Sequence, residues 1–183
     1  MQRIFLFLFF SLSCTFTVFA GTNYQVDMIL FAQPQTGDSQ AEQGINSPFI
    51  PMNKNTMTLK NNTHSTKNFS LLSPSKSSLK DQYYLLNRTH QYQILGHYSW
   101  IQPANNQNKI ALPKVSHNGW KMQGTVRVRK STYYLFDGEL QLSSPRNPQL
   151  SYMIEQNQRL KENVVYYLDN PQLGILLRVH RVA

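Results

Sequence analysis

The chain has 183 residues, with 18 Lys and Arg against 9 Asp and Glu, a formal charge of +9 and a single cysteine. That length accommodates one domain, and one cysteine excludes an internal disulfide framework. The basic surplus selects for anionic partners, among them nucleic acid, acidic lipid headgroups and anionic wall polymers.

Residues 1–20 read as a cleaved export signal: Arg3, then an apolar run over 4–10 with Leu12, then the small-residue site Val18-Phe19-Ala20 before Gly21. The run is short and broken by Ser11, Ser13 and Thr15, whereas a bilayer span needs about 20 apolar residues. Cys14 lacks the leucine three places earlier that lipid attachment requires, because that position is Ser11. Cleavage after Ala20 predicts an exported, cysteine-free chain without stable membrane insertion. It keeps seventeen basic against nine acidic side chains, +8. Nucleic acid is scarce outside the cytoplasm, so it is not an expected partner. A core without disulfides must then be hydrophobic, and residues 21–183 are expected to form one domain.

YQVDMILFA over residues 24–32 alternates, with its second face turning apolar towards the end. This is an interior strand covered on both sides in its later half. Residues 33–76 are rich in Asn, Gln, Ser, Thr and Pro without sustained period, the composition of a mobile polar insertion. Ser73-Pro74 then opens a helix over 75–90, with Leu79, Tyr83, Leu86 and His90 as its apolar stripe. Strand alternation follows over 92–102, with Gln102-Pro103 at its end, and an Asn-rich loop runs to Gly119. Residues 122–128 and 133–142 form a hairpin through Lys130-Ser131-Thr132, with Arg127 and Arg129 sharing a face with Asp137 and Glu139. Leu150, Tyr152 and Ile154 mark another strand, residues 159–163 a turn, and GILLRVHRV over 174–182 a closing strand paired with the first. The architecture is α+β: an antiparallel, largely meandering sheet with one amphipathic helix packed on a face.

Catalytic and metal motifs do not emerge. The five histidines have no HExxH spacing, and neither a nucleophile elbow nor a phosphate-cradling glycine loop occurs. Asp137 and Glu139 read better as cross-strand partners of Arg127 and Arg129 than as an acid–base pair. No enzyme activity, cofactor or metal is expected. Binding chemistry is better represented. Arg127, Arg129, Arg159 and Arg178 offer guanidinium forks for carboxylates or phosphates, and Trp120 and Tyr133 offer faces for sugar rings. Trp100 lies on the apolar face of its strand and reads as core, whereas Trp120 follows a loop and reads as exposed.

Four ordered segments resemble the CsiV family, periplasmic peptidoglycan-binding proteins of gammaproteobacteria: YQVDMILFA (24–32), YQILGHYSWIQP (92–103), GTVRVRKSTYYLFDGEL (124–140) and QRLKENVVYYLDNPQLGILLRV (158–179). The specific spacings are His97…Trp100…Gln102-Pro103 and Tyr167-Leu168-Asp169…Pro171…Gly174. The chain departs from the family pattern at Gln158, Val164 and Asn170. The resemblance implies a non-catalytic factor that binds peptidoglycan and supports wall synthesis and cell shape. It would act through the outer-membrane lipoprotein that activates a bifunctional penicillin-binding protein. Two other classes are distinguishable from it: a docking module for that activator without direct glycan binding, and a wall-modifying enzyme.

Overall fold

A computed structural model describes residues 23–33, 56–60 and 68–182. The predicted signal segment, Cys14 and most of the polar insertion lie outside them. The strands are β1 (Asn23–Ala32), β2 (Met57–Thr58), β3 (Gln93–Pro103), β4 (Ile110–Ala111), β5 (Val115–His117), β6 (Trp120–Lys130), β7 (Tyr134–Ser143), β8 (Tyr152–Leu160), β9 (Val165–Asp169) and β10 (Leu173–Arg181). One helix, α1 (Lys80–Arg88), follows a 3-10 turn at Pro74–Lys76. Among the described residues the fold is α+β, with strands antiparallel except for the β2–β4 pair, one helix on a sheet face, and the strands divided between two sheets.

The first sheet has the order β3-β1-β10-β9 and the second β2-β4-β6-β7-β8, with β5 on β6. The first and last strands meet as expected: β1 runs antiparallel to β10, with Asp27 opposite Arg178. The register places Tyr24, Val26, Met28 and Leu30 on one face of β1 and Asp27, Ile29 and Phe31 on the other. The first face packs with Trp100, Leu177 and Val179 against Val126, Val128, Phe136, Leu140 and Ile154 of the second sheet. The sheets therefore close face to face over one core. Each fully buried large aliphatic or aromatic side chain there contributes about 1.5–3 kcal/mol of transfer free energy. The second face of β1 carries Ile29 and Phe31 against Leu79, with Tyr83 and Leu86 of the helical segment alongside.

The regular helix is shorter than residues 75–90. Ser77 N donates to Pro74 O and Leu79 N to Ser77 Oγ, while Ser78 turns towards Asp27 with both its amide and hydroxyl. These local side-chain bonds compete with helical ones and delay the first turn. At the other end Thr89 Oγ1 donates to the carbonyls of Leu85 and Leu86, which leaves His90 outside the helix and exposed. Within the polar segment, β2 pairs in parallel with β4 and Leu59 is buried, as are Ser70 and Leu72. The Asn-rich loop contains β4 and β5. Arg159, expected in a turn, lies inside β8 opposite Leu135, and the turn is confined to the residues before β9.

Candidate functional site

The residues singled out by the sequence separate into an internal lock, a basic face and a cleft. The lock contains Trp100 and Gln102, both fully buried. Trp100 Nε1 donates to Gln102 Oε1 at 2.8 Å, and Gln102 Nε2 donates to Tyr24 Oη at 2.6 Å and to Val128 O at 2.8 Å. Tyr24 Oη donates to the same carbonyl at 2.9 Å. β3 and β1 of one sheet are thereby tied to β6 of the other, and burial pushes the Tyr24 phenol far above its ordinary range. Trp100 is core and takes no part in a surface.

His97 lies on the outer face of the first sheet, with its ring stacked on Tyr83 at 4.9 Å between centroids. Burial lowers its pKa from the ordinary 6.5, against the opposing attraction of Asp27. Asp27, fully buried, accepts from Gln25 Nε2 at 2.8 Å and from Ser78, and lies 3.5 Å from His180 Nδ1. Arg178 shares this half-covered face, and its Nε has no hydrogen-bond partner among the described residues. No group of three or more His, Cys, Asp or Glu suited to a metal ion occurs among the described residues.

The basic face is the outside of the second sheet. Arg127 and Arg129 both reach Asp137 Oδ2 at 2.9 Å, the cross-strand pairing that their shared face predicts. Glu139 instead meets Lys109. The register carries Arg129 to Leu135 and Leu135 to Arg159, so Arg159 joins the same face, with its guanidinium 5.7 Å from the Tyr133 ring centroid. Arg127, Arg129, Arg159 and Tyr133 are thus gathered together, while Arg178 and Trp120 stand apart from them.

Trp120 belongs to the cleft. His117 pairs with Trp120 across the two-residue turn Asn118-Gly119, in which both residues have positive φ, 50° and 78°. That is the turn an Asn-Gly pair favours between twisted strands. A Cβ on Gly119 would sit 2.7 Å from Pro145, so glycine also lets the loop after β7 close over the turn. The result is a cleft of about 140 Å³ lined by Gln33, Gln91, Gln93, Trp120, Ser144 and Arg146 beside Pro145 and Ala32. Trp120 is half-buried rather than free in a loop. Ser144 is 2% exposed, and its Oγ has no hydrogen-bond partner among the described residues.

The second family spacing forms the wall behind Gln33. Its Nε2 donates to Tyr167 Oη at 3.1 Å, to Asn170 O at 3.0 Å and to the Asp169 carboxylate, and Tyr167 Oη donates to Asp169 Oδ1 at 2.8 Å. Partial burial first, then the bond to Asp169, raises the Tyr167 phenol to about 12. Phe31 stacks on Tyr167 at 6.1 Å and meets Tyr92 edge-on at 5.2 Å. Gly174 admits that ring, since a Cβ there would lie 2.3 Å from it. Asn170 Oδ1 accepts from Gln172 N at 3.1 Å, so asparagine closes the turn before Pro171. The glutamines and Ser144 escape sequence reasoning because they sit at strand ends and in loops, where no period marks them; only the Asn-Gly turn pointed to Trp120.

Neither a curated protein nor a solved structure matches the chain. A family model described as peptidoglycan-binding protein, CsiV, matches residues 3–182, nearly the whole chain, a range that includes both stretches just described. The chain belongs to the CsiV family of peptidoglycan-binding proteins.

Proposed function

We propose that this protein binds peptidoglycan in the periplasm without altering it chemically, and that it supports wall synthesis and envelope integrity from there. The observation that carries this reading is the family match across residues 3–182. The charge distribution supports it: two guanidiniums share the single Asp137 carboxylate, which leaves surplus positive charge beside Arg159 for stem-peptide carboxylates. Tyr133, 49% exposed, offers a flat apolar surface next to them. Arg178 is a separate and more enclosed candidate contact. Purified residues 21–183 are expected to pellet with cell-wall sacculi at physiological salt, less so at high salt or with Arg127 and Arg129 both changed to Ala. Absence of pelleting at any salt overturns the reading, and a changed muropeptide profile after incubation overturns its non-catalytic part.

A second reading, docking on an envelope protein such as the lipoprotein activator of a penicillin-binding protein, is favoured by the outer side of α1. Tyr84 and Leu85 stand 63% and 65% exposed there, adjacent large apolar side chains of the kind that mark contact surfaces. Loss of activator pull-down in a Tyr84→Ser, Leu85→Ser variant that still pellets with sacculi supports docking as an additional role. Retained pull-down rejects this surface.

A further inference from the structure

We infer that the cleft at Trp120 is the seat of one N-acetylated hexosamine ring of the glycan strand. This deepens the peptidoglycan reading and rests on it. Size limits the occupant first. The cleft's volume of about 140 Å³ is close to the ~150 Å³ cavity that takes up a single benzene ring and well below the roughly 300–1,000 Å³ of sites for drug-sized ligands. That is room for a six-membered ring but not for all the substituents of an N-acetylhexosamine, so the ring would seat with its substituents in the open mouth of the cleft and a disaccharide would leave its second ring outside.

The lining then selects the chemistry. Trp120 presents an indole against which the apolar side of a pyranose stacks. Gln91 and Gln93 bring side-chain amides suited to hydroxyl and acetamido groups to the same cleft, and Gln33, whose Nε2 is committed to Tyr167, Asp169 and Asn170, is left with its Oε1 as acceptor. Among the described residues the lining contains a cation and no carboxylate, which suits a neutral or anionic sugar and not an amine. Ser144 supplies the most direct sign of a ligand. Its hydroxyl is buried without a partner among the described residues, a costly state in a folded protein, and a sugar hydroxyl or acetamide in the cleft relieves it. The walls are prepared in advance: the Gln33 amide is held by Tyr167, Asp169 and the Asn170 carbonyl, and Asn118 Nδ2 lies 3.5 Å from Gln93 Oε1.

Indole fluorescence offers the test, because Trp100 is fully buried and Trp120 is the indole at the cleft. Residues 21–183 titrated with muramyl dipeptide, N-acetylglucosamine and glucose are expected to show a saturable change with the first two and a weaker one with glucose. By saturation-transfer NMR, Trp120→Leu should abolish muramyl dipeptide binding, and Ser144→Ala should weaken it about tenfold, the equivalent of one hydrogen bond. Far-UV circular dichroism establishes that each variant is folded, and Ser144→Ala, which removes one atom, serves if Trp120→Leu is not. Wild-type protein that pellets with sacculi but shows no saturable sugar response overturns the cleft assignment and leaves peptidoglycan binding standing. Undiminished binding by folded Trp120→Leu or Ser144→Ala overturns it equally. Sugar binding without pelleting supports the cleft and removes the polymer as its target. Loss of both removes the two readings together.

Discussion

Replacing Gln102 by Leu and Trp100 by Phe, singly and together, tests whether the first family spacing is an inter-sheet lock. The Gln102 amide accepts from Trp100 Nε1 and donates to Tyr24 Oη and Val128 O, all within 2.6–2.8 Å and with no solvent access at Gln102. Gln102→Leu keeps side-chain volume but strands the indole N–H, while Val128 O retains its bond from Tyr24. One orphaned buried donor costs about 1–3 kcal/mol, and the lost bond to Val128 adds about 1 kcal/mol, for an expected loss of about 2–4 kcal/mol. Trp100→Phe strands Gln102 Oε1 and shrinks a core ring, a similar loss. In the double variant neither group is left orphaned, so it should be more stable than the sum of the singles by about 1–2 kcal/mol. Urea midpoints followed by circular dichroism measure all four species, with thermal midpoints expected to move by about 2–4 °C per kcal/mol in a domain of this size. Additivity within about 0.5 kcal/mol would refute the reasoning, because it would mean that the indole and the amide do not depend on one another.

Three other outcomes follow from the same geometry. Gly174→Ala drives a Cβ to 2.3 Å from the Phe31 ring and should cost about 1–3 kcal/mol by overpacking, with Phe31→Leu in the same chain restoring part of the urea midpoint. Burial holds His97 below its ordinary 6.5, so the unfolded chain takes up a proton first as pH falls. Stability should therefore decline from just above pH 6.5 down to the lower folded value and level off beneath it, and His97→Gln should flatten that window in pH-dependent urea curves. Asp27→Ala removes the acceptor for Gln25 and Ser78 and should destabilise by about 2–4 kcal/mol, with amide exchange over residues 77–88 accelerating before that of β6 and β7.

Legibility in the sequence followed the burial of each element. β1 and β10 stood out because interior strands need apolar residues on both faces, and their pairing is also what ties the chain ends down. The β6–β7 hairpin was readable because Arg127, Arg129 and Asp137 fall on one side of strictly alternating strands. Alternation fixes which residues share a face and says nothing about which sheet a strand joins, so one meander was expected where two sheets pack. β8 hides its later half because residues 155–159 are polar on both faces, as an edge strand allows, so Arg159 reads from the sequence as part of a turn. β4 and β5, two and three residues long, are too short for any period. Spacing alone brings together Arg127 and Arg129 of the basic face but not Arg159 or Tyr133, and the cleft arises where ends of strands from both sheets meet, a meeting that no linear pattern encodes.

The second family spacing permits a perturbation that separates wall geometry from stability. Asp169 is exposed and accepts from the Tyr167 hydroxyl and the Gln33 amide. Removing an exposed carboxylate of this kind should cost no more than about 1 kcal/mol of folding free energy. Its effect on the cleft should be larger, because Gln33 is the one lining amide fixed by three acceptors and would then keep only the Tyr167 hydroxyl and the Asn170 carbonyl. A binding group released from its anchor must be ordered again by the ligand, at about 0.5–1.5 kcal/mol for a rotamer-rich side chain. Asp169→Ala is therefore expected to weaken muramyl dipeptide binding by roughly two- to tenfold while its urea midpoint stays close to wild type. A midpoint that falls as far as that of Gly174→Ala, with sugar affinity unchanged, would instead assign Asp169 to the fold and detach the Tyr167–Asp169 spacing from ligand binding.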